Sequence, residues 1–545
     1  MMLEELNKYT FPAIFSETVR KHGNSMAYSF AGEEPISYAD AARKIQALSA
    51  FLEKTGINPG DRVAILSTNM PHWPIAYFSI TFMGAVAVPV LPDFSGTEVF
   101  NVLEHSEAKA VFVSSGLLSK IEGTRPETIK TGIQIEDFSV IFSDKEPVKF
   151  DAEAVPAGNY EVKEDDLASI IYTSGTTGRS KGVMLTHKNI SFNAQRGKMI
   201  QDIDENDRFL SVLPLSHTYE NTLGLILPLI GGSCVYYLRK PPTPPVLLPA
   251  LEIVKPTLML TVPLIIEKVY FNKILPAFRE KAVLRFLYKI PLFRKKLNAV
   301  AGKKIYKTFG GNLKFFGIGG SKLNRTVERF LREAKFPYAI GYGLTETAPL
   351  LAGANPGETV FDSTGPAING IELKINNPDK KTGEGEIWAK GPNVMKGYYK
   401  EPGLTAEVLT PDGWLKTGDL GIFDDNNNLF IKGRLKNMIV GASGENIYPE
   451  EIESVINNFQ YVSESLVIEQ KGKLVALVHL NMEELEKKYQ HMKDDMEKIY
   501  EELLDELKEY VNTNVNKFSQ INKVVLHPVP FQKTATLKIK RFLYT

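Results

Sequence analysis

The chain has 545 residues, too many for one hydrophobic core, so several domains are expected. Its composition, 43% hydrophobic and 23% charged with 41 Gly and 32 Pro, is globular and excludes a disordered, collagen-like or coiled-coil chain. Lys+Arg and Asp+Glu tie at 64 each, so no global charge recruits nucleic acid, and the lone Cys234 excludes an internal disulfide or a thiolate metal cluster.

The first ten residues, MMLEELNKYT, carry two Glu where a secretion signal has Lys or Arg, and no apolar stretch follows. A cytoplasmic location is the expectation. Helical patterns then alternate with short apolar runs: 41–53 before 63–66, 98–105 before 110–113, and a strand at 167–172. Residues 63–92 contain no Asp, Glu, Lys or Arg, long enough to suggest a membrane span. Pro71, Pro74, Gly84, Pro89 and Pro92 interrupt that stretch, which reads as a buried helix at 73–83 and a β-run at 85–90. Residues 221–238, divided by Pro228 and Gly231-Gly232, read the same way. The alternation predicts an α/β fold with largely parallel strands buried on both faces.

Residues 255–314 carry 14 Lys or Arg against two Glu, a net charge of +12, with Phe, Tyr, Leu and Ile interleaved. This basic amphipathic pattern fits peripheral membrane contact, or a solvated helical face whose apolar side packs inward. After about residue 355 the texture turns β-rich, with a turn at 424–428. The last 110 residues read as a small α+β unit: a helix at 450–457, strands at 464–469 and 474–480, and a charged helix at 485–511. In that last helix Leu485, Tyr489, Met492, Met496, Ile499, Leu503 and Leu507 form one apolar stripe. No repeat of 20 to 50 residues is visible, which removes solenoids and propellers.

The densest chemistry lies just after the strand at 167–172. Gly175, Gly178 and Gly182, the hydroxyls of Thr173, Ser174, Thr176, Thr177 and Ser180, and Lys181 fill ten consecutive positions. Glycines let backbone N–H groups converge on an anion, hydroxyls add donors and lysine adds charge, the makings of a phosphate cradle. A Walker A loop is excluded, because Gly175 and Gly178 stand too close together. A plain Ser/Gly surface loop would have no use for a lysine among its glycines, or for a buried strand before it.

These residues resemble the phosphate-binding loop of adenylate-forming enzymes, specifically the acyl-CoA synthetases. Further matches follow in that family's order. Gly319-Gly320-Ser321 is similar to its adenine-wedging turn, and the run from Gly341 through Tyr342, Gly343 and Thr345 to Glu346 resembles the motif after the adenine pocket. The segment from Trp414 to Leu420, containing Asp419, resembles the ribose-binding motif, and Gly433 to Asn446 resembles the interdomain hinge and its following loop. Lys538-Ile539-Lys540-Arg541 resembles the C-terminal lysine motif. The likeness runs from about Phe11 to Arg541, nearly the whole chain. Departures are Leu537 for a frequent Gly, Arg179-Ser180 for a frequent x-Pro and Asn437 for a frequent Asp; none removes a reacting group.

The resemblance implies a large N-terminal AMP-binding domain, 1–432, a hinge at 433–436 with Lys436 as pivot, and a mobile C-terminal domain, 437–545. It implies a long-chain fatty acid–CoA ligase using ATP, Mg²⁺ and CoA, in which acyl-AMP forms with loss of pyrophosphate and a thiol then takes the acyl group. Thr173 and Glu346 would help hold Mg²⁺, Tyr342 would pack on adenine, and Asp419 and Arg434 would reach the ribose. Lys181 and Lys538 would meet the phosphates and the forming adenylate, and His217 would stand between acyl tunnel and active site. Ser443, Gly444 and Glu445 would line the thiol tunnel. An enzyme loading an acyl carrier protein, or a non-catalytic lipid or nucleotide sensor, are the alternatives; retention of Glu346, Asp419 and Lys538 argues against the sensor. Oligomeric state is not legible.

Overall fold

The computed structural model describes residues 6–156, 158, 160–173, 180–441, 445–482, 485–486, 496–534 and 538–544. Two large sheets form the N-terminal region. One has eight strands, in the order Gly397–Tyr398, Lys181–Thr186, Leu167–Thr173, Val86–Val90, Arg62–Leu66, Ala110–Val113, Thr131–Gln134, Val140–Ser143. Its centre is parallel, and antiparallel strands finish both sides. Val86–Val90 is buried at every position, as expected of a parallel strand covered on both faces.

The second sheet runs Tyr338–Ile340, Phe315–Ile318, Leu258–Thr261, Arg208–Leu210, Cys234–Tyr237, Met26–Phe30, Ile36–Ser37. All its pairings are parallel except the last. The principal core joins residues of both sheets, such as Val235 and Ile65, through helices Phe11–His22, Tyr38–Thr55 and His72–Phe82. Trp73 through Thr81 are all buried, so this helix is apolar on every side and has no face for a charge. That accounts for the charge-free stretch at 63–92: a buried helix and strand occupy it, as the prolines suggested. Among the described residues no helix is long and apolar enough to cross a membrane. The segment 221–238 likewise folds as a buried helical run up to Gly231 and the strand Cys234–Tyr237.

Beyond residue 355, Glu372–Asn376, Gly385–Lys390, Leu415–Phe423 and Leu429–Arg434 form an antiparallel sheet. The expected turn closes its last hairpin, where the Asp424 N–H donates to the Asn428 carbonyl at 3.0 Å.

The smaller C-terminal domain has the hairpin Val462–Gln470 and Lys473–Leu480, joined in parallel by Lys523–Leu526, a strand that sequence periodicity did not reveal. Helices Pro449–Ile456 and Met496–Asn514 pack on it. Of the predicted stripe, Leu485, Ile499, Leu503 and Leu507 are buried and serve as core. Tyr489 and Met492 lie outside the described residues.

Candidate active site

Strands Leu167–Thr173 and Lys181–Thr186 are an antiparallel pair whose last register partners are Thr173 and Lys181. The predicted cradle residues Ser174, Gly175, Thr176, Thr177 and Gly178 lie outside the described residues, directly between those partners. Tyr398 pairs with Val183 of the second strand, and the Lys181 ammonium stands 4.9 Å from the centre of its ring. The Tyr398 hydroxyl donates to Glu346 Oε1 at 2.8 Å. Thr173, Lys181, Tyr398 and Glu346 are thereby linked around one loop mouth, although Glu346 is distant in sequence.

Glu346 occupies the short 3₁₀ turn Thr345–Thr347. Gly343 allows that turn to close: a Cβ there would lie 1.8 Å from the Pro349 carbonyl oxygen, so no other residue fits. The Gly341 N–H donates to the Ile318 carbonyl, and the Gly319 N–H to the Thr261 carbonyl, so both motifs hang from ends of the second sheet. Gly320 has φ +86, the left-handed turn the motif needs, and presents Ser321 to solvent.

Asp419 is the most tightly held carboxylate of the cleft. It faces Arg434 across the hairpin, with Arg434 Nε 2.7 Å from Oδ1, while the Tyr342 hydroxyl donates to Oδ2 at 2.8 Å. Burial pushes its pKa up and the Arg434 charge opposes that shift. Each oxygen still has a lone pair for a further donor such as a sugar hydroxyl. Tyr342 is therefore anchored by its hydroxyl, which fixes the orientation of its ring.

Lys538 comes from the C-terminal domain. The Thr534 N–H donates to the Lys538 carbonyl at 2.8 Å and the Lys538 N–H to Thr534 Oγ1 at 3.2 Å, closing a small loop that presents the lysine. The divergent Leu537 lies in that loop, outside the described residues. The Lys538 side chain keeps access to solvent, yet the protein around it removes enough water to lower its pKa. Arg434 lowers it further, and Asp419 and Glu346 act in the opposite direction. Burial lowers the His217 pKa to about 4, and the Lys538 charge contributes, so the imidazole is neutral near pH 7. Its Nδ1 accepts the Tyr219 N–H at 3.2 Å, which leaves the ring proton on Nε2. One lysine from the far end of the chain thus shares a field with His217, Glu346, Asp419 and Arg434.

Lys436 is exposed in the 3₁₀ turn Leu435–Asn437, just after the hairpin that carries Arg434. The divergent Asn437 donates to Glu450 Oε1 at 2.6 Å, a bond an aspartate could not make as a carboxylate. Ser443 and Gly444 lie outside the described residues; Glu445 is half-buried beside Gly441.

The oxygens near the loop mouth suit a hard cation. Glu346 Oε2 has no hydrogen-bond partner among the described residues, and Thr173 ends the strand that opens the loop. The described residues hold no cluster of three or more His, Cys, Asp or Glu, so a metal here would depend on phosphate oxygens as well, as Mg²⁺ commonly does. Sequence reasoning missed Tyr398, which joins Lys181 to Glu346. Neither its neighbours nor its spacing signal that role, since its partners meet it only through the sheet and a distant turn.

Family models match most of the chain: AMP-binding enzyme over residues 15–399, and AMP-binding enzyme C-terminal domain over 436–542. Among curated relatives, the peroxisomal long chain acyl-CoA synthetase 7 of Arabidopsis thaliana is 28% identical, covering 96% of this chain and 81% of that one. Long-chain-fatty-acid–CoA ligase FadD15 of Mycobacterium tuberculosis is 28% identical over 93% and 90%. Among solved structures, O-succinylbenzoate coenzyme A synthetase of Bacillus subtilis in complex with AMP superposes with a TM-score of 0.76 at 22% identity, over 97% of both chains. The anthranilate CoA ligase AuaEII, in complex with anthranoyl-AMP, gives 0.77 at 20% over 99% and 97%. With the two models spanning the large region and the smaller domain in order, the chain belongs to the AMP-binding enzyme family.

Proposed function

We propose that this adenylate-forming acyl-CoA ligase activates a long-chain fatty acid in two half-reactions. In the first, a carboxylate oxygen attacks the α-phosphorus of ATP and pyrophosphate departs, giving acyl-AMP. In the second, the thiol of CoA attacks the acyl carbon, the C–O bond to phosphate breaks and AMP leaves. The observation that carries this reading is the pair of anchored carboxylates, Asp419 on Arg434 and Tyr342 and Glu346 on Tyr398, with Lys538 of the C-terminal domain within electrostatic reach of both.

Charge builds on the α-phosphate during the first step, and preorganised donors are worth most where charge develops. Asp419 and Arg434 orient the ribose, and Tyr342 supports the adenine. Lys181 and the loop 174–179 hold the phosphates, and Lys538 neutralises the oxygens shared by carboxylate and phosphate. His217, neutral, donates from Nε2 at the junction with the acyl site. Thr173 and Glu346 would hold Mg²⁺, which supplies positive charge to the phosphates when bound. The second step needs the lysine withdrawn, and rotation about Lys436 of the domain 437–545 against 1–432 would do this and bring Ser443, Gly444 and Glu445 to the thiol.

The long-chain assignment is supported by the long-chain synthetases among the relatives, although a 4-coumarate–CoA ligase from Vanilla planifolia also matches at 28%. The test is pyrophosphate release across straight-chain acids from acetate to oleate, with benzoate and coumarate included and CoA compared with an acyl carrier protein in the second step. Highest kcat/KM with palmitate or oleate and thioester formed on CoA are expected. A preference for aromatic acids, or transfer to carrier protein alone, would overturn the assignment.

A further inference from the structure

The crossover between strands Leu258–Thr261 and Phe315–Ile318 contains the most unbalanced surface of the molecule. From Lys281 to Val327 there are 12 Lys or Arg and no Asp or Glu. The segment folds into helices Ala282–Lys289 and Pro291–Thr308. Each has a packed side: Tyr288, Leu297 and Ile305 join the core beneath, and the Tyr288 hydroxyl donates to Asn298 Oδ1 at 3.0 Å. A solvated amphipathic helix would end there, with only polar groups outside. Instead Val283 is 70%, Phe286 66%, Leu292 64% and Val300 70% exposed, with the C-terminal domain in place.

The cations between them are uncommitted. Arg294 is paired with Glu333 and Lys314 with Asp207. Lys281, Arg285, Lys289, Lys295, Lys296, Lys303, Lys304 and Lys307 are exposed and make no ion pair among the described residues. Isolated surface hydrophobes are ordinary. Four large ones on two successive helices, interleaved in sequence with cations of one sign that make no ion pair among the described residues, are not. Apolar groups that insert shallowly and cations that meet headgroups are what an anionic interface selects.

We infer that helices Ala282–Lys289 and Pro291–Thr308 form a docking face for an anionic lipid surface, on which the protein lies without spanning it. The charge is complementary, and no described helix is long and apolar enough to offer a transmembrane alternative. The location gives the contact a use. The strands on either side of the crossover end at Thr261 and at Ile318, just before the Gly319 turn that borders the cleft, so an acid partitioned into the bilayer would be taken up beside the site that activates it. This use rests on the long-chain reading; the docking face does not.

The test is co-sedimentation of the full chain with vesicles of phosphatidylcholine alone or with added phosphatidylglycerol, at low and high salt and without substrate. Binding only to the anionic vesicles, weakened by salt, is expected. Each Lys or Arg near such a surface strengthens partitioning roughly fivefold, so Lys295→Gln with Lys296→Gln and Lys303→Gln should weaken it by about 100-fold at low salt. Phe286→Ser should weaken binding while leaving its salt dependence in place. Circular dichroism melts of each variant establish that it folds. Absence of binding, equal binding to neutral vesicles, or variants that bind as the parent does would each overturn the inference. Capture by an RNA oligomer with no preference for anionic vesicles would do the same. Because no acyl substrate is present, failure here leaves the proposed reaction intact, and failure of the reaction leaves the docking face intact.

Discussion

At the cleft, Asp419 lies buried with one oxygen on Arg434 and the other on Tyr342; on the basic crossover, eight cations face water with no ion-pair partner among the described residues. Both regions are rich in charge, and they use it differently. A buried, paired charge has a defined geometry, so removing one member leaves the other uncompensated. Exposed cations are individually worth little and act together through a screened field. Substitutions in the cleft should therefore produce large, step-specific losses that are insensitive to salt. Those on the crossover should give graded, salt-dependent losses of surface binding.

The largest effect is expected at Lys538, which brings a cation from the C-terminal domain into the cleft's field. Loss of one well-placed donor in the transition state costs about 3–4 kcal/mol, so Lys538→Ala should slow acyl-AMP formation by about 100- to 1,000-fold. Thioester formation from supplied acyl-AMP should change little. Parallel loss of both half-reactions would mean that the lysine supports the fold or the thiol step. Gly444→Leu should show the reverse, sparing adenylation and blocking CoA attack, because a branched side chain would fill the proposed tunnel. If adenylation fell too, a backbone role for the glycine would be the better account.

A smaller loss is expected at the ribose carboxylate. Asp419→Asn keeps the shape and can still accept from Tyr342, but it removes the charge facing Arg434. Hydrogen bonds to charged groups are worth about 1.5–3 kcal/mol, so kcat/KM for ATP should fall by roughly 10- to 100-fold. The comparison sharpens if that loss is unchanged at high salt while vesicle binding by the crossover disappears. An Asn variant with unaltered ATP kinetics would remove Asp419 from the nucleotide site.

Much of this was legible in the sequence because the cleft is built from short contiguous motifs. Glycines, hydroxyls and a lysine in ten positions point to an anion site from sequence alone, although residues 174–179 lie outside the described ones, and Gly343 is dictated by a backbone contact within its own turn. The helix at His72–Phe82 was readable because charge is absent from it, Pro71 and Pro74 open it and Gly84 follows its end. Lys523–Leu526 was not, since its apolar run is short and its parallel partner, Lys473–Leu480, lies far back in the chain. Tyr398 was hidden for a related reason: its partners Lys181 and Glu346 come from separate stretches that only the tertiary fold brings together. Composition exposed the charge of the crossover, but only the structure separated the apolar residues that pack from Val283, Phe286, Leu292 and Val300, which do not.

Glu220 offers a third case, a buried carboxyl with no ion pair among the described residues, and its predicted effect falls on stability rather than on a reaction step. Ser211 Oγ donates to its Oε1 at 2.6 Å, while Oε2 is buried without a partner among the described residues. The Tyr219 and Tyr237 phenols lie close enough to feel its charge, and neither can supply a positive one. Burial therefore pushes its pKa from 4.5 up to about 8, with the Ser211 bond opposing. Below 4.5 the folded and unfolded chains both hold the proton; between 4.5 and about 8 only the unfolded chain releases it, so stability falls as pH rises through that window. Above it both are ionised and the loss is complete. Glu220→Gln keeps an acceptor for Ser211 and has no proton to lose. Its stability relative to the parent should rise by on the order of 3–4 kcal/mol between about pH 5 and about pH 8. Urea denaturation midpoints at the two pH values measure this directly, and parallel curves for parent and variant would show that Glu220 is ionised in the folded protein. That outcome would place an unseen cation or ordered water beside Oε2, and Glu220 would then belong with Asp419 among the paired charges.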